Sequence, residues 1–396
     1  TVYEKDSGRS KVAILTFQRA INYGAALQAY ALQRVISEMG YQCELLDLDR
    51  PAKPAPKRSW LASYRRKTGE PLGRQISWAL GALGVRVRGR LVGMLLERLR
   101  RPSFREFERN HMRFSPRRYR SITALKDTSL DYAAYVAGSD QVWNPEFPWD
   151  PEPYFLTFAP PGAIRIAYAA SFGVNSIEGA VRDSYNRWLK GFDAISVRED
   201  VGERLVVDLS GCSASLVLDP TFLLGHSEWA ALAQPTNLSR PYVFCYNLRD
   251  SAETDIAAIK LGQLLGLPVL RLGSSLAAPQ RGVQQLAIAG PARFISLIQG
   301  ANLVVTNSFH GMAFAINLGR PFYSILNTKD NMNSRMISLL KMLELPDRTY
   351  DPAGRYCPEV VLDTPGAEVQ CRLRIMRGQS REFLASALRL PKQRGD

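Results

Sequence analysis

The chain has 396 residues, 46% of them hydrophobic, and its 51 Lys and Arg against 37 Asp and Glu give a net charge of +14. That length exceeds one comfortable hydrophobic core and favours two domains, while the apolar fraction excludes disorder over most of the chain. No apolar run reaches the roughly 18 to 20 residues that a membrane-spanning helix needs. Much of the positive excess lies between Lys53 and Arg120, which suits anionic substrates or an anionic membrane surface. No zinc-finger, RRM or KH signature and no regular aromatic platform accompanies it, which argues against nucleic acid. Cys43, Cys212, Cys245, Cys357 and Cys371 show neither CxxC nor HxxxC spacing. Neither a metal site nor a disulfide framework is expected, and a reducing cytoplasm fits. The chain begins Thr1-Val2-Tyr3, without methionine and without a charged-then-apolar leader.

In chain order, the first unit reads as strand 11–17, a polar loop, helix 25–39 stopped by Gly40, and strand 43–48. Leu27, Ala31, Val35 and Met39 recur at four-residue spacing, as in a helix laid on a parallel sheet. The pattern then breaks at Pro51, Pro54 and Pro56. Over 74–101, Trp78, Leu80, Val87 and Leu91 alternate with Arg86, Arg88 and Arg90, a basic amphipathic pattern able to lie on an anionic bilayer. Gly81, Gly84, Gly89 and Gly93 oppose a helix there, and covering the protein's own core is the plainer use of such a stripe.

Short apolar runs follow at 132–137, 165–171, 194–197 and 216–218, with a helix near 181–190. A second series takes strands 242–246, 268–272, 303–306 and 322–326, with helices near 255–265 and 292–298. Met336, Leu339, Leu340 and Leu343 mark one face of a later helix. Alternating strands and helices predict doubly wound α/β domains. The expected units are 1–233 with a basic insertion at about 51–120, then 242–345, then a helical tail over 346–396, with 234–241 as hinge.

Polar turns close the strands, where open α/β sheets bind ligands. In Asn307-Ser308-Phe309-His310-Gly311 a strand gives way to a helix, whose free N–H groups and dipole attract anions. His310 adds a side chain able to move protons; a core or capping histidine is the alternative. Asn22, Tyr23 and Gly24 open the first helix without a GxGxxG. After strand 132–137, Asp140, Gln141 and Asn144 can orient sugar hydroxyls and Trp143 can stack on a sugar face, or all can serve as caps. Arg198 follows a strand, its fork suited to a carboxylate or phosphate or to its neighbours Glu199 and Asp200. Asp219 before Pro220 fits a structural strand exit.

Taken together, NYGAALQAYAL from Asn22, GSDQVWN from Gly138, SVREDVG from Ser196, LDPTFLL from Leu218 and TNSFHGMAFAINLGRPF from Thr306 resemble the polysaccharide pyruvyl transferase family. SRMISLLKMLEL from Ser334 resembles its closing helix, so the resemblance runs from about Lys11 to Arg348. It implies a GT-B-like fold, two Rossmann-like domains facing a cleft. It also implies transfer of a pyruvyl group from phosphoenolpyruvate, the donor substrate, onto two sugar hydroxyls as a cyclic ketal, with no cofactor or metal. By that likeness His310 and Arg198 meet the donor, helped by Asn307, Ser308, Gly311 and Arg335. Asn22, Tyr23, Gly24, Asp140, Gln141, Trp143 and Asn144 fall to the acceptor, a cell-surface polysaccharide or its lipid-linked precursor. His310 is open between acid, base and phosphate ligand. A lipid-linked acceptor would place the enzyme in the cytoplasm, with peripheral contact at the inner face of the membrane. The competing expectations are a GT-B glycosyl- or sialyl-type transferase using a nucleotide sugar, and a non-catalytic carbohydrate-binding protein.

Overall fold

The computed structural model describes residues 10–49, 72–235, 238, 240–275, 281–326, 333–350 and 362–390, and within these the side chains of 72–91 lie outside the description. The expectations placed on 51–71 and on Trp78, Leu80, Arg86, Arg88 and Arg90 therefore fall outside the described residues. Short stretches, mostly apolar at the centre of each sheet, become parallel strands. Those of the first sheet are β1 (Lys11–Leu15), β2 (Gln42–Leu48), β3 (Phe114–Tyr119), β4 (Ala134–Ala137), β5 (Ile164–Ala170), β6 (Ala194–Val197) and β7 (Ser215–Leu216). Their spatial order is β3-β2-β1-β4-β5-β6-β7. The second sheet holds β8 (Val243–Asn247), β9 (Val269–Gly273), β10 (Val283–Gln285), β11 (Leu303–Thr306) and β12 (Phe322–Ser324), ordered β10-β9-β8-β11-β12.

Every strand pairing among the described residues is parallel: Val12 sits opposite Cys43 on one side and Ala134 on the other, and Val243 opposite Val269 and Leu303. Winding reverses between β1 and β4 in the first sheet and between β8 and β11 in the second. These two switch points are where ligand crevices form in such sheets. The pair of doubly wound domains facing a cleft is the GT-B-like arrangement.

The helices are α1 (Tyr23–Glu38), α2 (Leu72–His111), α3 (Ile122–Lys126), α4 (Val181–Leu189), α5 (Asp200–Ser210), α6 (His226–Ala230), α7 (Ala252–Leu265), α8 (Pro291–Gln299), α9 (Phe309–Asn317), α10 (Ser334–Met342) and α11 (Ala367–Leu388). Asn22 starts α1 by accepting the Ala25 N–H at 3.1 Å, which satisfies one of the donors that a helix end leaves open. The small residues Ala25, Ala26, Ala29 and Ala31 then let the helix bury against the sheet. Among the described residues no helix is long and apolar enough to cross a membrane.

One hydrophobic cluster runs through both domains, joining Leu27, Leu32 and Val35 of α1 to Phe294 of α8 and Phe314 of α9. Tyr23 stacks on Phe294 with ring centroids 4.6 Å apart and donates its hydroxyl to the Ala289 carbonyl at 3.0 Å. Trp229 meets Phe314 edge-on at 4.9 Å. The tail helix α11 returns to the first domain, where the Ser380 hydroxyl accepts the Leu218 N–H at 3.0 Å and Arg381 donates to the Leu223 carbonyl at 3.2 Å.

Within 72–120 two elements depart from the sequence reading. β3 lies inside the supposed insertion, an edge strand with Pro116 and exposed Arg117 and Arg118, polar because only one side of it is paired. α2 continues through its glycines for 40 residues. Its carboxyl half is fixed by tertiary contacts, with Leu96, Phe104 and Phe107 buried and buried Arg100 donating to the Ala287 and Gly273 carbonyls, both at 2.8 Å. Packing of this kind outweighs propensity. Because the shared cluster centres on Phe294, Phe294→Ala is expected to cost about 3–5 kcal/mol in a single cooperative urea transition. A loss confined to a second, separate transition would show that the two domains do not share a core.

Candidate active site

Four loops leave the two switch points and meet. After β1 come Phe17, Ala20 and Asn22, and after β4 come Asp140 and Gln141. After β8 come Leu248, Arg249 and Ser251, and after β11 come Asn307, Ser308, Phe309 and His310. Together with Arg335 and Met336 of α10 they line one cleft of about 260 Å³. Asn307 ties two of the loops, accepting the Leu248 N–H at 2.9 Å and donating to Asn247 Oδ1 at 2.8 Å. Ser308 caps α9 by accepting the Gly311 N–H at 3.4 Å, which sets His310 on the first turn.

Beneath the cleft lies a buried charge network. Arg198 Nη1 donates to Asp219 Oδ2 at 2.7 Å and to Ser139 Oγ at 3.2 Å, and Nη2 donates to Asp140 Oδ1 at 3.3 Å. Its guanidinium lies 4.6 Å from the centroid of the Phe309 ring, a cation–π contact, and Glu199 Oε2 stands 3.8 Å from its Nε. Burial alone would lower the Arg198 pKa, yet Asp219, Asp140 and Glu199 outweigh it and hold the guanidinium above its ordinary value. Asp219 also accepts from Ser139 Oγ at 2.8 Å, and from the Thr221 N–H and hydroxyl at 3.0 and 2.8 Å. Burial works against its charge, but His310 and Arg198 keep its carboxyl well below the usual range. Asp140 is treated alike: burial raises it, and Arg198, His310 and Arg335 prevail and lower it. Its backbone sits at φ 84°, a conformation rare outside glycine and held by the ladder contact to Ala170. Strain of this sort gathers at functional sites.

His310 Nε2 stands 3.6 Å from Asp219 Oδ2 and has no hydrogen-bond partner among the described residues. Its ring is pinned edge-on by Phe309 and from the other side by the start of α1. A Cβ at residue 24 would lie 2.0 Å from His310 Nδ1, so only glycine leaves room for the imidazole. Arg335 differs from Arg198. It is buried and lines the cleft, its Nε lacks a partner, and no carboxylate lies within ion-pair distance of it among the described residues. Burial, followed by repulsion from Arg198, brings its pKa down to about 10 against the opposing pull of Glu199 and Asp140. It is a cation short of an anion.

The structure redistributes several residues singled out in the sequence. Asn22, Asp140, Gln141, Asn307, Ser308, His310 and Arg335 share the cleft. Arg198 does not line it; its fork, expected to face an incoming anion, is filled by the protein's own carboxylates. Trp143 is fully buried, stacked on Phe155 at 5.1 Å with its indole N–H on the Tyr154 carbonyl, so no face is free for a sugar. Tyr23 packs between domains, Gly24 contacts His310, and Asn144 is buried with its Oδ1 accepting the Glu146 N–H. Gly311 packs against Thr306 and Tyr246. Asp219, read as a strand exit, stands at the centre of the network. Trp149 and Arg249, which line the cleft, carry no local pattern and are brought in only by folding. Among the described residues no group of three or more His, Cys, Asp or Glu is arranged to hold a metal ion.

A two-domain α/β protein with a polar cleft between two switch points is what this geometry defines. The chain belongs to the polysaccharide pyruvyl transferase family, whose model matches residues 22–329, and it is accordingly an enzyme of polysaccharide pyruvyl transfer. No curated protein sequence matches it. It is similar to solved structures at low identity. An O-GlcNAc transferase mutant of Thermobaculum terrenum is 11% identical with a TM-score of 0.40, over 97% of this chain and 65% of that one. The S. aureus MnaA–UDP co-structure is 8% identical with a TM-score of 0.47, over 86% of this chain and 83% of that one. A UDP-GlcNAc 2-epimerase from Neisseria meningitidis, bound to UDP-GlcNAc, is 7% identical with a TM-score of 0.44, over 96% and 99%.

Two substitutions test this construction. Gly24→Ala, favourable by helix propensity alone by about 1 kcal/mol, is expected to displace His310 and reduce turnover far more than it changes the thermal midpoint. Asp219→Ala is expected to cost about 3–5 kcal/mol, because it strands Arg198 in the interior; calorimetric unfolding that shows less than about 1 kcal/mol would mean the network is not buried in solution.

Proposed function

We propose that this enzyme moves the pyruvyl group of phosphoenolpyruvate onto two hydroxyls of a sugar, in a cell-surface polysaccharide or its lipid-linked precursor, and closes a cyclic ketal. Arg335 is the observation that carries the donor: a buried cation lining the cleft, its pKa brought down to about 10 by burial and by repulsion from Arg198. Phosphoenolpyruvate brings a carboxylate and a phosphate on adjacent positions, and a guanidinium fork matches either with paired hydrogen bonds. Asn307 and Ser308 line the same wall, and the first turn of α9 adds its dipole.

The chemistry is a proton exchange around one carbon. The enol C3 gains a proton and the first sugar hydroxyl bonds to C2. Phosphate leaves with the C2–O bond pair, and the second hydroxyl closes the ring. Two hydroxyl protons are released in all, one balancing the proton taken up at C3 and one carried away by phosphate. His310 is the side chain in the cleft suited to pass them. Asp219 Oδ2 stands 3.6 Å behind Nε2, and Arg198 donates to the same carboxylate oxygen at 2.7 Å. Arg198 is thus a positioning residue. Asp140 and Gln141 stand on the first-domain side, where a sugar would enter. The architectural likenesses do not favour a nucleotide-sugar donor, and membership of an enzyme family argues against a purely binding role.

A lipid-linked acceptor would bring the enzyme to a membrane. On α2 the exposed Met94, Leu95 and Leu99 flank exposed Arg98 and Arg101, which supports peripheral contact with an anionic surface. Vesicles of anionic lipid are expected to co-sediment the protein at low salt and release much of it as salt screens the attraction; equal recovery of Leu95→Asp/Leu99→Asp would remove the apolar part of that contact. Phosphoenolpyruvate is expected to raise the thermal midpoint by mass action. Arg335→Gln should weaken its binding about 10- to 100-fold, the worth of one charge-assisted hydrogen-bonded contact. Because the folded state depresses this group, the charge is disfavoured there relative to the unfolded chain, and the ligand-free variant should be at least as stable as the parent. Calorimetric titration in which a nucleotide sugar binds and phosphoenolpyruvate does not would refute the donor assignment.

A further inference from the structure

A second, wider groove opens beside the cleft and shares Ala20, Asn22 and Trp149 with it. Six arginines and three carboxylates line it: Arg19, Arg98, Arg101, Arg105, Arg109 and Arg118 against Asp49, Glu97 and Glu108. Two of the arginines are already neutralised. Arg19 bonds Asp47 at 2.6 Å and Glu108 at 2.5 Å, and Arg118 pairs with Asp49. The remaining four, Arg98, Arg101, Arg105 and Arg109, are exposed and have no carboxylate within ion-pair distance among the described residues. Glu97 opposes them from the same helix, and Glu108, though bonded to Arg19, also feels the charge of Arg105.

Their placement follows from helix geometry. On α2 the steps 98, 101, 105 and 109 keep one face over roughly 16 Å, while Leu96, Arg100, Phe104 and Phe107 turn inward. Arg100, bonded to carbonyls of the second domain, fixes the rotation of the helix. The arginine row is therefore aimed by the core, and four like charges on adjacent turns repel one another, with fewer carboxylates than arginines in the groove to relieve them. None of the resemblance motifs falls on α2.

We propose that this groove is a second subsite for the acceptor and takes a phosphate or diphosphate ester carried by the acceptor saccharide. The inference rests on the acceptor side of the pyruvyl transfer proposed above. With the reacting hydroxyls at His310, a saccharide leaving the cleft passes the half-exposed Trp149, and its anionic end enters the arginine row. Planar guanidinium forks bind phosphate oxygens in pairs, and a diphosphate can engage two successive turns of the helix.

The test reads binding without turnover. Octyl diphosphate, inorganic pyrophosphate and vesicles of phosphatidylglycerol in phosphatidylcholine are titrated separately into the full chain, its R101Q/R105Q variant and its R335Q variant. Arg101 and Arg105 are exposed on a helix surface, and an unchanged thermal midpoint verifies the fold of each variant. Octyl diphosphate is expected to bind the parent and R335Q alike and to lose at least tenfold in affinity in R101Q/R105Q, with phosphoenolpyruvate affinity unchanged. No binding of octyl diphosphate, equal binding in R101Q/R105Q, or loss in R335Q instead would overturn the subsite. Vesicle binding that depends on Arg101 and Arg105 while octyl diphosphate fails to bind would assign the arginines to a lipid surface and also overturn it. Octyl diphosphate binding through these arginines in a protein that transfers nothing from phosphoenolpyruvate would keep the groove and defeat the donor reading, so the two failures are distinct.

Discussion

The contact on which the site depends is the buried pair of Arg198 and Asp219. Each ion would be costly alone in the interior, and each is stabilised by the other together with Ser139, Asp140 and Thr221. The pair belongs to the first domain, but Phe309 covers its guanidinium and His310 stands over its carboxylate. Charge burial, domain contact and proton chemistry thus meet at one point. The imidazole proposed to move protons stands 3.6 Å from a carboxylate that also bonds Arg198, so a change at any of the three alters the surroundings of the other two.

The fold explains why these groups converge. Both sheets reverse beside their first strand, so each presents a pair of loops at its carboxyl edge. Facing the two sheets across a shared layer of α1, α8 and α9 turns two crevices into one cleft. Gly24 then permits the closest approach, placing the amino end of α1 against the imidazole. Arg335 enters from a third direction, on α10, and gives the cleft an unbalanced positive charge above the balanced network. The division is physical: Arg198 maintains the floor, and Arg335 is available to a ligand.

Much of this was legible in the chain. The strands of the two sheet centres are mostly apolar, as suits strands buried on both faces, and the polar turns after them include most of the cleft residues. Edge elements were hidden for the opposite reason. β3 carries Pro116, Arg117 and Arg118, and β10 is Val283–Gln285, because an edge strand needs fewer apolar side chains. Local pattern also could not separate a fork that meets a ligand from one that meets the protein. Arg198 stands in a motif and is sequestered, whereas Arg335 lies on a helix face otherwise read as packing. Trp143 and Tyr23 have the aromatic character of sugar-binding residues, yet both are consumed by packing. The glycine-bearing α2 gave no clear helical signal, since its order comes from Leu96, Arg100 and Phe104 meeting residues far along the chain.

The central claim concerns which carbon receives the proton and which molecule supplies the transferred group. It is tested most directly by incubating the enzyme with phosphoenolpyruvate carrying a heavy carbon at C2 and a panel of phosphorylated and unphosphorylated saccharides in deuterated water, then reading product mass and carbon spectrum. Transfer with ketal closure places the heavy carbon in the acceptor as a quaternary centre beside a methyl group bearing one carbon-bound deuterium. Label left in phosphoenolpyruvate while a nucleotide sugar is consumed, or a product that retains the unprotonated enol group, would contradict the account.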